Sequence, residues 1–471
     1  MTFSRLLDDL IRDTLSVSLP AFAAELVVCA TILALLLGRL FGTDRLVDPR
    51  WVALGGAVLA LLVTLPQLAE TFGAGEPPGS SRRAEPGGSP VAILFTGMLV
   101  HDPLTVYMRV LLTGFLALTT WLTAIGGIPD REDGPDFHTL LFGSTLGALL
   151  MAQSNHLLML FLSVEMTSVP GYALVGFQKG RRQSGEAALK YLVYGAGAAG
   201  ILLYGTSLLA GTLGVATLPE IAERVPQVVG QGAAPLATAA ERTVVLGTLF
   251  VFVGLAFKLA LVPFHFWCPD AFEGASAEAA GFLSVAPKAG AFALLVRVVQ
   301  SVFGSDSVAV EDLRYAFGIG LAVVSALTMT LGNLAAFSQE NVKRLFAYST
   351  IAHAGYLLMG VAAWMVAGGE VGRRGLEGLL YYLAVYVFMN LGAFAIAALV
   401  RNATYGERVE DYGGLWARLP VVCGGMAVCC LSLVGIWPAG GFIGKFMVFA
   451  ASLQAGDASP VMWALVAVAA V

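Results

Sequence analysis

Charged residues are scarce in this chain of 471 residues, at 13% against about 25% in an ordinary soluble domain. Hydrophobic residues make up 57%, so too few polar groups are available to cover a soluble surface, and the composition indicates a membrane protein. The 27 Lys and Arg residues face 32 Asp and Glu residues and form no basic stripe. This charge balance excludes nucleic acid as a partner.

Patterns that bind metals, cofactors or nucleotides are also missing. The five cysteines are scattered and form no Cys-x-x-Cys pair, so zinc ribbons and iron–sulfur clusters have no ligands, and a disulfide scaffold is excluded. The five histidines suggest no pair of axial haem ligands, and no glycine-rich phosphate motif lies between a strand and a helix. We therefore predict that this chain holds no cofactor or metal ion.

Long apolar runs dominate the sequence and match the roughly 20 residues that a membrane-spanning helix needs. Because backbone groups in hydrocarbon must bond within their own segment, we predict an all-α polytopic transmembrane bundle of about thirteen spans. The spans are predicted at residues 19–40, 51–69, 104–125, 138–153, 155–177, 186–212, 243–267, 276–301, 313–334, 344–367, 376–400, 420–454 with an interruption, and from 459 onward. The last run covers about half a span, which indicates truncation at the C-terminal end.

The loops set an expected orientation. Intervals 70–90 and 213–241 are the longest polar stretches, and we expect flexible surface connections there. The basic loops 178–182 and 341–344 fall on the same side, which predicts a cytoplasmic location for both and an external N-terminus.

A short pattern repeats within the chain. The hexapeptide GYALVG at 171–176 recurs as GYLLMG at 355–360, and this offset of about 184 residues brings Lys258 near Lys445. Each lysine lies close to a proline in an apolar segment. Because the offset spans five helices, an odd number, the two copies must insert in opposite orientations. We predict N-terminal helices at 1–130 and two inverted five-helix repeats at 138–301 and 313–471, each with an interrupted helix.

Ionisable side chains within apolar spans are expensive and therefore indicate function. Burial favours the uncharged forms of Lys and Glu and so permits proton exchange near neutral pH. His265 follows Lys258 by seven residues, which on a regular helix is ~10.5 Å on the same side and suits a water-bridged relay. Glu25 and Arg109 lie near span ends and can reach the interface, whereas packing roles are expected for His156 and His353. The predicted relay residues are Glu165, Lys190, Lys258, His265, Lys288 and Lys445.

Four stretches resemble the antiporter-like membrane subunits of respiratory complex I, NADH:quinone oxidoreductase, and most closely its subunit N type. They are FLSVEM at 161–166, FKLALVPFHFWCPDAFEGA at 257–275, NVKRLFAYSTIAHAGY at 341–356 and GIWPAGGFIGKF at 435–446, with DYGGLW at 411–416 favouring the N type. The resemblance covers the chain from about residue 100 onward.

The resemblance implies a proton-translocating membrane-arm subunit of the bacterial inner membrane with 14 spans and no redox centre. It assigns Glu165 and Lys190 as a helix-to-helix pair, Lys258 and Lys445 as the lysines of the two broken helices, and His265 and Lys288 as the connecting relay. NADH, flavin, iron–sulfur clusters and quinone are expected in partner subunits. The alternatives are a subunit of a multi-subunit cation/proton antiporter and a non-conducting membrane scaffold.

Overall fold

The computed structural model describes residue 11 and residues 13–72, 91–130, 132–230 and 236–470. Within these ranges helices predominate, beside a single antiparallel hairpin of strands β1 (Ala92–Leu94) and β2 (Leu99–His101). The α-helices of eight residues or more are α1 Ala23–Leu40, α2 Pro49–Phe72, α3 Pro103–Gly126, α4 Gly134–Gln153, α5 Leu157–Val175, α6 Arg182–Leu213, α7 Leu218–Val228, α8 Ala239–Leu259, α9 Trp267–Gly274, α10 Ala277–Phe303, α11 Val308–Ala336, α12 Val342–Ala367, α13 Gly369–Thr404, α14 Pro420–Val434, α15 Gly440–Ala455 and α16 Pro460–Ala470. The predicted all-α fold is confirmed.

Ten helices in the described part of the chain are long and apolar enough to cross a membrane. The predicted interruption in 420–454 is confirmed, because α14 ends at Val434 and α15 begins at Gly440. The predicted span 243–267 is instead divided, since α8 ends at Leu259 and α9 begins only at Trp267. The chain is thus a multi-pass membrane protein with two broken helices.

The interval 213–241 is not the flexible connection that we expected. Residues Leu218–Val228 form helix α7, and Leu218, Ile221 and Val225 are buried. Their spacing of three and four residues makes one apolar face, which the polar composition of the segment conceals. Most of the other predicted loop, 70–90, lies outside the described residues.

The first compact unit is drawn from Met1–Gly171, Gly214–Ile221 and Ala289–Val298. Asp102 starts α3 as its N-cap, because its Oδ1 accepts a hydrogen bond from the Thr105 amide at 2.8 Å. Arg297 donates hydrogen bonds to the same carboxylate from Nη1 and Nη2, at 2.9 and 2.8 Å. This double contact joins the start of α3 to the part of α10 that belongs to the unit.

The second compact unit is drawn from Tyr172–Leu213, Ala222–Lys288 and Val299–Val471. Helix α12 lies almost wholly buried within it. At Gly355, in the second copy of the repeated hexapeptide, an added Cβ would lie 2.8 Å from the backbone nitrogen of Met329. Only glycine therefore allows α11 and α12 to approach this closely, as small residues do at membrane helix contacts. The repeat boundaries themselves stay a prediction.

Candidate functional site

The first broken helix places a lysine at the end of a membrane segment. Lys258 lies in the last turn of α8 and its side chain is 1% exposed. The turn closes through Leu261 N, which donates to Ala256 O at 2.8 Å, and Trp267 Nε1 donates to Phe257 O at 2.9 Å. Carbonyls that a broken helix leaves unpaired are therefore satisfied locally, as required in a membrane interior.

The break changes the geometry expected for His265. We placed it ~10.5 Å from Lys258 on a regular helix, and this was wrong because α8 ends before His265 is reached. His265 lies in the link between α8 and α9, is partly exposed, and its buried Nδ1 has no hydrogen-bond partner among the described residues. Pro263 lies in the same link and has no backbone N–H. A straight helix therefore could not continue through it without losing a hydrogen bond.

Lys288 lies in the middle of α10 and contacts a backbone carbonyl. Its side chain is 3% exposed, and Nζ donates to Thr350 O of α12 at 3.2 Å. A carbonyl carries no formal charge, so the lysine can lose its proton without leaving a carboxylate unpaired. This contact differs from the ion pairs that usually hold buried lysines.

Whereas Lys258 lies just before the first break, Lys445 lies just after the break of the second broken helix, near the start of α15. Its Nζ donates to Val434 O, the last residue of α14, at 3.0 Å and lies 4.4 Å from the centre of the Tyr356 ring. A cavity of about 530 Å³ adjoins the lysine and is also lined by His353 and Asn333. The ammonium is thus held by a carbonyl dipole and an aromatic face beside a polar space.

His353 was expected to have only a packing role, and the structure gives it a central position. It is 3% exposed, its Nδ1 lies 2.5 Å from Tyr382 Oη, and it lines the cavity that adjoins Lys445. It follows Thr350, whose carbonyl holds Lys288, by one turn of α12. A histidine in the middle of an apolar span was the sequence signal for this position. His156 does act locally, because its Nδ1 accepts from Leu158 N at the start of α5.

Lys190 does not lie in the apolar surroundings that we expected. Its side chain is 42% exposed, and Nζ lies 2.8 Å from Glu186 and 2.9 Å from Asp270. Asp270 also pairs with Arg344 of α12, at 2.7 Å, and Arg344 reaches Glu273 at 2.7 Å. Sequence reasoning missed Asp270, because α9 brings it beside α6 only in the folded chain.

The predicted pairing of Glu165 with Lys190 stays a prediction. Glu165 is a partly exposed residue of α5 in the first unit. Glu25 and Arg109, expected to reach the interface, are instead fully buried and form an ion pair of 2.7 Å. Each finds its counter-charge inside the protein, which removes the need to reach water.

A polar cavity of about 1070 Å³ opens at the end of α12 that carries the basic loop 341–344. Lys343 donates to Ala275 O at 2.7 Å and pairs with Glu407 at 3.0 Å. Burial disfavours the charged form of Glu407, but Lys343 and Arg181 outweigh that cost and lower its pKa. The charged residues that line the cavity are Arg181, Glu273, Glu340, Arg344, Arg401, Glu407, Arg408 and Asp411.

A family model described as NADH:quinone oxidoreductase/Mrp antiporter, transmembrane, matches residues 154–471. All six predicted relay residues, from Glu165 to Lys445, lie inside the matched range. The chain belongs to this family.

Curated relatives in the family are similar over most of their length. A protein of Anaeromyxobacter sp. (strain Fw109-5) named NADH-quinone oxidoreductase subunit N is 40% identical over 79% of this chain and 71% of its own length. A subunit N 2 of Sorangium cellulosum (strain So ce56) is 38% identical over 94% of this chain and 83% of its own. The family resemblance found in the motifs is therefore confirmed.

Solved structures show the same architecture. A chain of respiratory complex I from Thermus thermophilus superposes with a TM-score of 0.68 at 29% identity, covering 95% of this chain and 87% of that one. A chain of the Mrp complex from Dietzia sp. DQ12-45-1b superposes with a TM-score of 0.75 at 23% identity, covering 96% and 77%. The second similarity shows a shared fold only.

Proposed function

We propose that this chain is a proton-translocating membrane-arm subunit, of the subunit N type, of a bacterial NADH:quinone oxidoreductase. The observation that carries the proposal is the pair of broken helices that each bear a lysine beside the break. Lys258 is buried at the end of α8, and Lys445 donates to the terminal carbonyl of α14 at 3.0 Å. Broken helices with polar ends are the usual binding elements of membrane transporters.

The contacts of the lysines suit proton transfer. Lys288 and Lys445 donate to backbone carbonyls at 3.2 and 3.0 Å, so each can exist as an ammonium or as a neutral amine without disrupting an ion pair. In the amine form a lysine accepts a proton through the nitrogen lone pair, and in the ammonium form it releases one. His353 contacts Tyr382 and lines the cavity that adjoins Lys445, which gives the second unit a further acid–base side chain near this lysine.

Lys190 stands at a charged end of this path. Its ion pairs with Glu186 and Asp270 hold the ammonium, and Asp270 links it to Arg344 beside the 1070 Å³ polar cavity. Water in such a cavity can deliver protons to the buried lysines. Together with Glu165, Lys258 and His265, these residues form the proposed relay.

The proposal places redox chemistry outside this chain. NADH, flavin, iron–sulfur clusters and quinone belong to partner subunits, and the chain contributes proton movement coupled to their reactions. It assembles with other membrane-arm subunits in the bacterial inner membrane, as the relatives named subunit N indicate. The enzyme activity belongs to the complex rather than to the chain alone.

The test uses the assembled complex in membrane vesicles. We expect Lys258→Met to leave assembly intact and to abolish NADH-driven proton uptake, because methionine keeps most of the apolar length of the lysine side chain within the span while the proton carrier is lost. Lys179→Met, in the exposed basic loop, is the matched control and should pump normally. Normal proton uptake per electron in the Lys258→Met complex would exclude the relay.

Two other functions give different outcomes. A subunit of a cation/proton antiporter would co-purify with antiporter subunits instead of quinone-reductase subunits, and its transport would require a cation such as Na⁺ rather than NADH. A non-conducting scaffold would tolerate Lys258→Met and Lys445→Met with full pumping. Co-purification and the lysine variants together distinguish the three candidate functions.

A further inference from the structure

Five polar side chains meet inside the first unit, apart from the proposed relay residues. They are Glu25 of α1, Gln67 of α2, His101 of β2, Arg109 of α3 and Gln153 of α4. Glu25 and Arg109 are 0% exposed. A buried charge pair in a membrane segment is expensive, and such residues usually serve ions or protons.

Arg109 divides its hydrogen bonds among four acceptors. Nε donates to Glu25 Oε1 at 2.7 Å, Nη1 to Gln67 Oε1 at 2.8 Å and to His101 Nδ1 at 3.1 Å, and Nη2 to Gln153 Oε1 at 3.0 Å. Only one of these acceptors is a carboxylate oxygen, so the pair lacks the two-pronged geometry of the strongest Arg–carboxylate contacts. The guanidinium would therefore remain hydrogen-bonded if Glu25 became neutral.

The two oxygens of Glu25 are not equivalent. Oε1 accepts from both Arg109 and Gln153, whereas Oε2 is buried and has no hydrogen-bond partner among the residues that the structure describes. A buried carboxylate oxygen without a donor carries an uncompensated desolvation cost while the group is ionised. Protonation removes the charge from this oxygen, so Oε2 is the favoured place for a proton.

His101 offers the alternative place. A guanidinium only donates hydrogen bonds, so His101 Nδ1 must accept from Arg109 through its lone pair and carries no proton in this arrangement. A proton at Nδ1 would break the bond and place a second cation beside Arg109. Arg109, once released from His101, is free to donate to Glu25 Oε2 and to hold Glu25 ionised.

Asp102 and Cys29 are ionisable groups that lie near the cluster in the described part of the chain. Asp102, next to His101, is held by Arg297 at 2.8 Å. The thiol of Cys29, one turn beyond Glu25 on α1, lies within the field of the carboxylate. Arg109 is thus the charge that couples Glu25 to His101.

We propose that Glu25 and His101 form a second proton-binding site, in which one proton occupies either His101 Nδ1 or Glu25 Oε2. In the exchange the N–H bond of His101 breaks and the O–H bond of Glu25 forms, so the cluster keeps a net charge of one. Arg109 follows the proton by bonding to His101 when Glu25 is protonated. Proton binding stands on this cluster alone, and its use in pumping rests on the proposed function.

Infrared difference spectra of the purified complex test the binding step directly. Between two pH values, we expect the carbonyl band of a buried carboxylic acid to appear, and to be missing from the Glu25→Gln complex. If that variant does not assemble, Glu25→Gln with Arg109→Gln provides the comparison, because no unpaired cation then remains. Identical difference spectra with and without Glu25 would overturn the proposal.

Proton uptake tests whether the site takes part in turnover. The complex with Glu25→Gln and Arg109→Gln should assemble and pump about tenfold more slowly or worse, since general acid–base groups contribute at least that much. The matched control is Asp102→Asn with Arg297→Gln, which neutralises the neighbouring ion pair, keeps a capping residue, and should pump normally. Normal pumping by the cluster variant would show that the site takes no part in turnover. The infrared result stands even if Lys258→Met leaves pumping intact, so failure of the proposed function can be recognised separately.

Discussion

Replacing Asp270 by Asn removes the carboxylate that joins Lys190 to Arg344. In the structure its Oδ2 lies 2.9 Å from Lys190 Nζ and its Oδ1 lies 2.7 Å from Arg344 Nη1. Each cation keeps a second acid, Glu186 at 2.8 Å and Glu273 at 2.7 Å. The variant should therefore fold and assemble, while Lys190 loses its link across to α12.

The exposed fractions set the expected magnitude. The side chains of Lys190 and Asp270 are 42% and 27% exposed, so solvent screening reduces their interaction well below that of a buried pair. We expect about 0.5–1 kcal/mol of coupling between them, at the upper end of values for exposed pairs. In a rate this corresponds to about a twofold to fivefold effect.

A double-mutant cycle on proton uptake measures this coupling. The complexes carry Lys190→Met, Asp270→Asn, or both, and uptake is compared per electron from NADH. We expect the double variant to pump about twofold to fivefold faster than the product of the two single effects predicts.

The same cycle with Glu165→Gln in place of Asp270→Asn tests the pairing that the sequence predicts. Coupling in both cycles would mean that Lys190 exchanges partners during turnover. Simple additivity of Lys190→Met and Asp270→Asn would refute the link that the contacts indicate, and additivity in both cycles would remove Lys190 from the relay.

Three further outcomes are expected. His353→Asn should slow proton uptake more than tenfold, as loss of an acid–base group does. Tyr382→Phe, which removes the hydroxyl 2.5 Å from the same ring, should have a smaller effect. Equal pumping in His353→Asn and wild type would contradict a role of His353 in proton transfer. Gly444→Ala should destabilise the complex by about 1–3 kcal/mol, because the added Cβ would lie 2.7 Å from the Tyr382 ring. The loss should appear as a lower thermal midpoint, and an unchanged midpoint would contradict the close packing at Gly444. The pKa of Glu407 is lowered in the fold, so the carboxylate stabilises the fold above its unfolded-state pKa, and this contribution is lost as pH falls through its folded-state pKa. Acid unfolding should therefore begin at a different pH in Glu407→Gln. An unchanged acid unfolding profile would argue against the pair with Lys343.

Much of the site could be read from single residues in their local context. Lys258 and Lys288 stand out because a charge inside an apolar run is rare, and both are buried as expected. The break near Lys445 follows from Gly435, which ends α14 in a left-handed conformation, and from Pro438, which lacks a backbone N–H. Such features depend on neighbours in sequence and need no knowledge of the fold.

Partners distant in sequence could not be read in this way. Asp270 lies 80 residues from Lys190, and Glu25 lies 84 residues from Arg109. Nothing in the local pattern around any of these residues specifies which helix will be its neighbour. His353 looked like a packing residue for the same reason, since Tyr382 and the cavity beside Lys445 are brought to it by other helices.

The sequence by itself determined that this is a helical membrane protein with charged residues inside its spans, and which family it belongs to. Hydrophobic run length and the cost of an unpaired backbone in lipid act along the chain, so composition and period reveal them. The tertiary structure decided which charges are paired, which lysines bond only to carbonyls in the contacts described, and that Glu25 keeps one oxygen without a described partner. Those properties arise from atoms brought within 3 Å by helix packing, and distance between remote helices is not encoded in any local pattern.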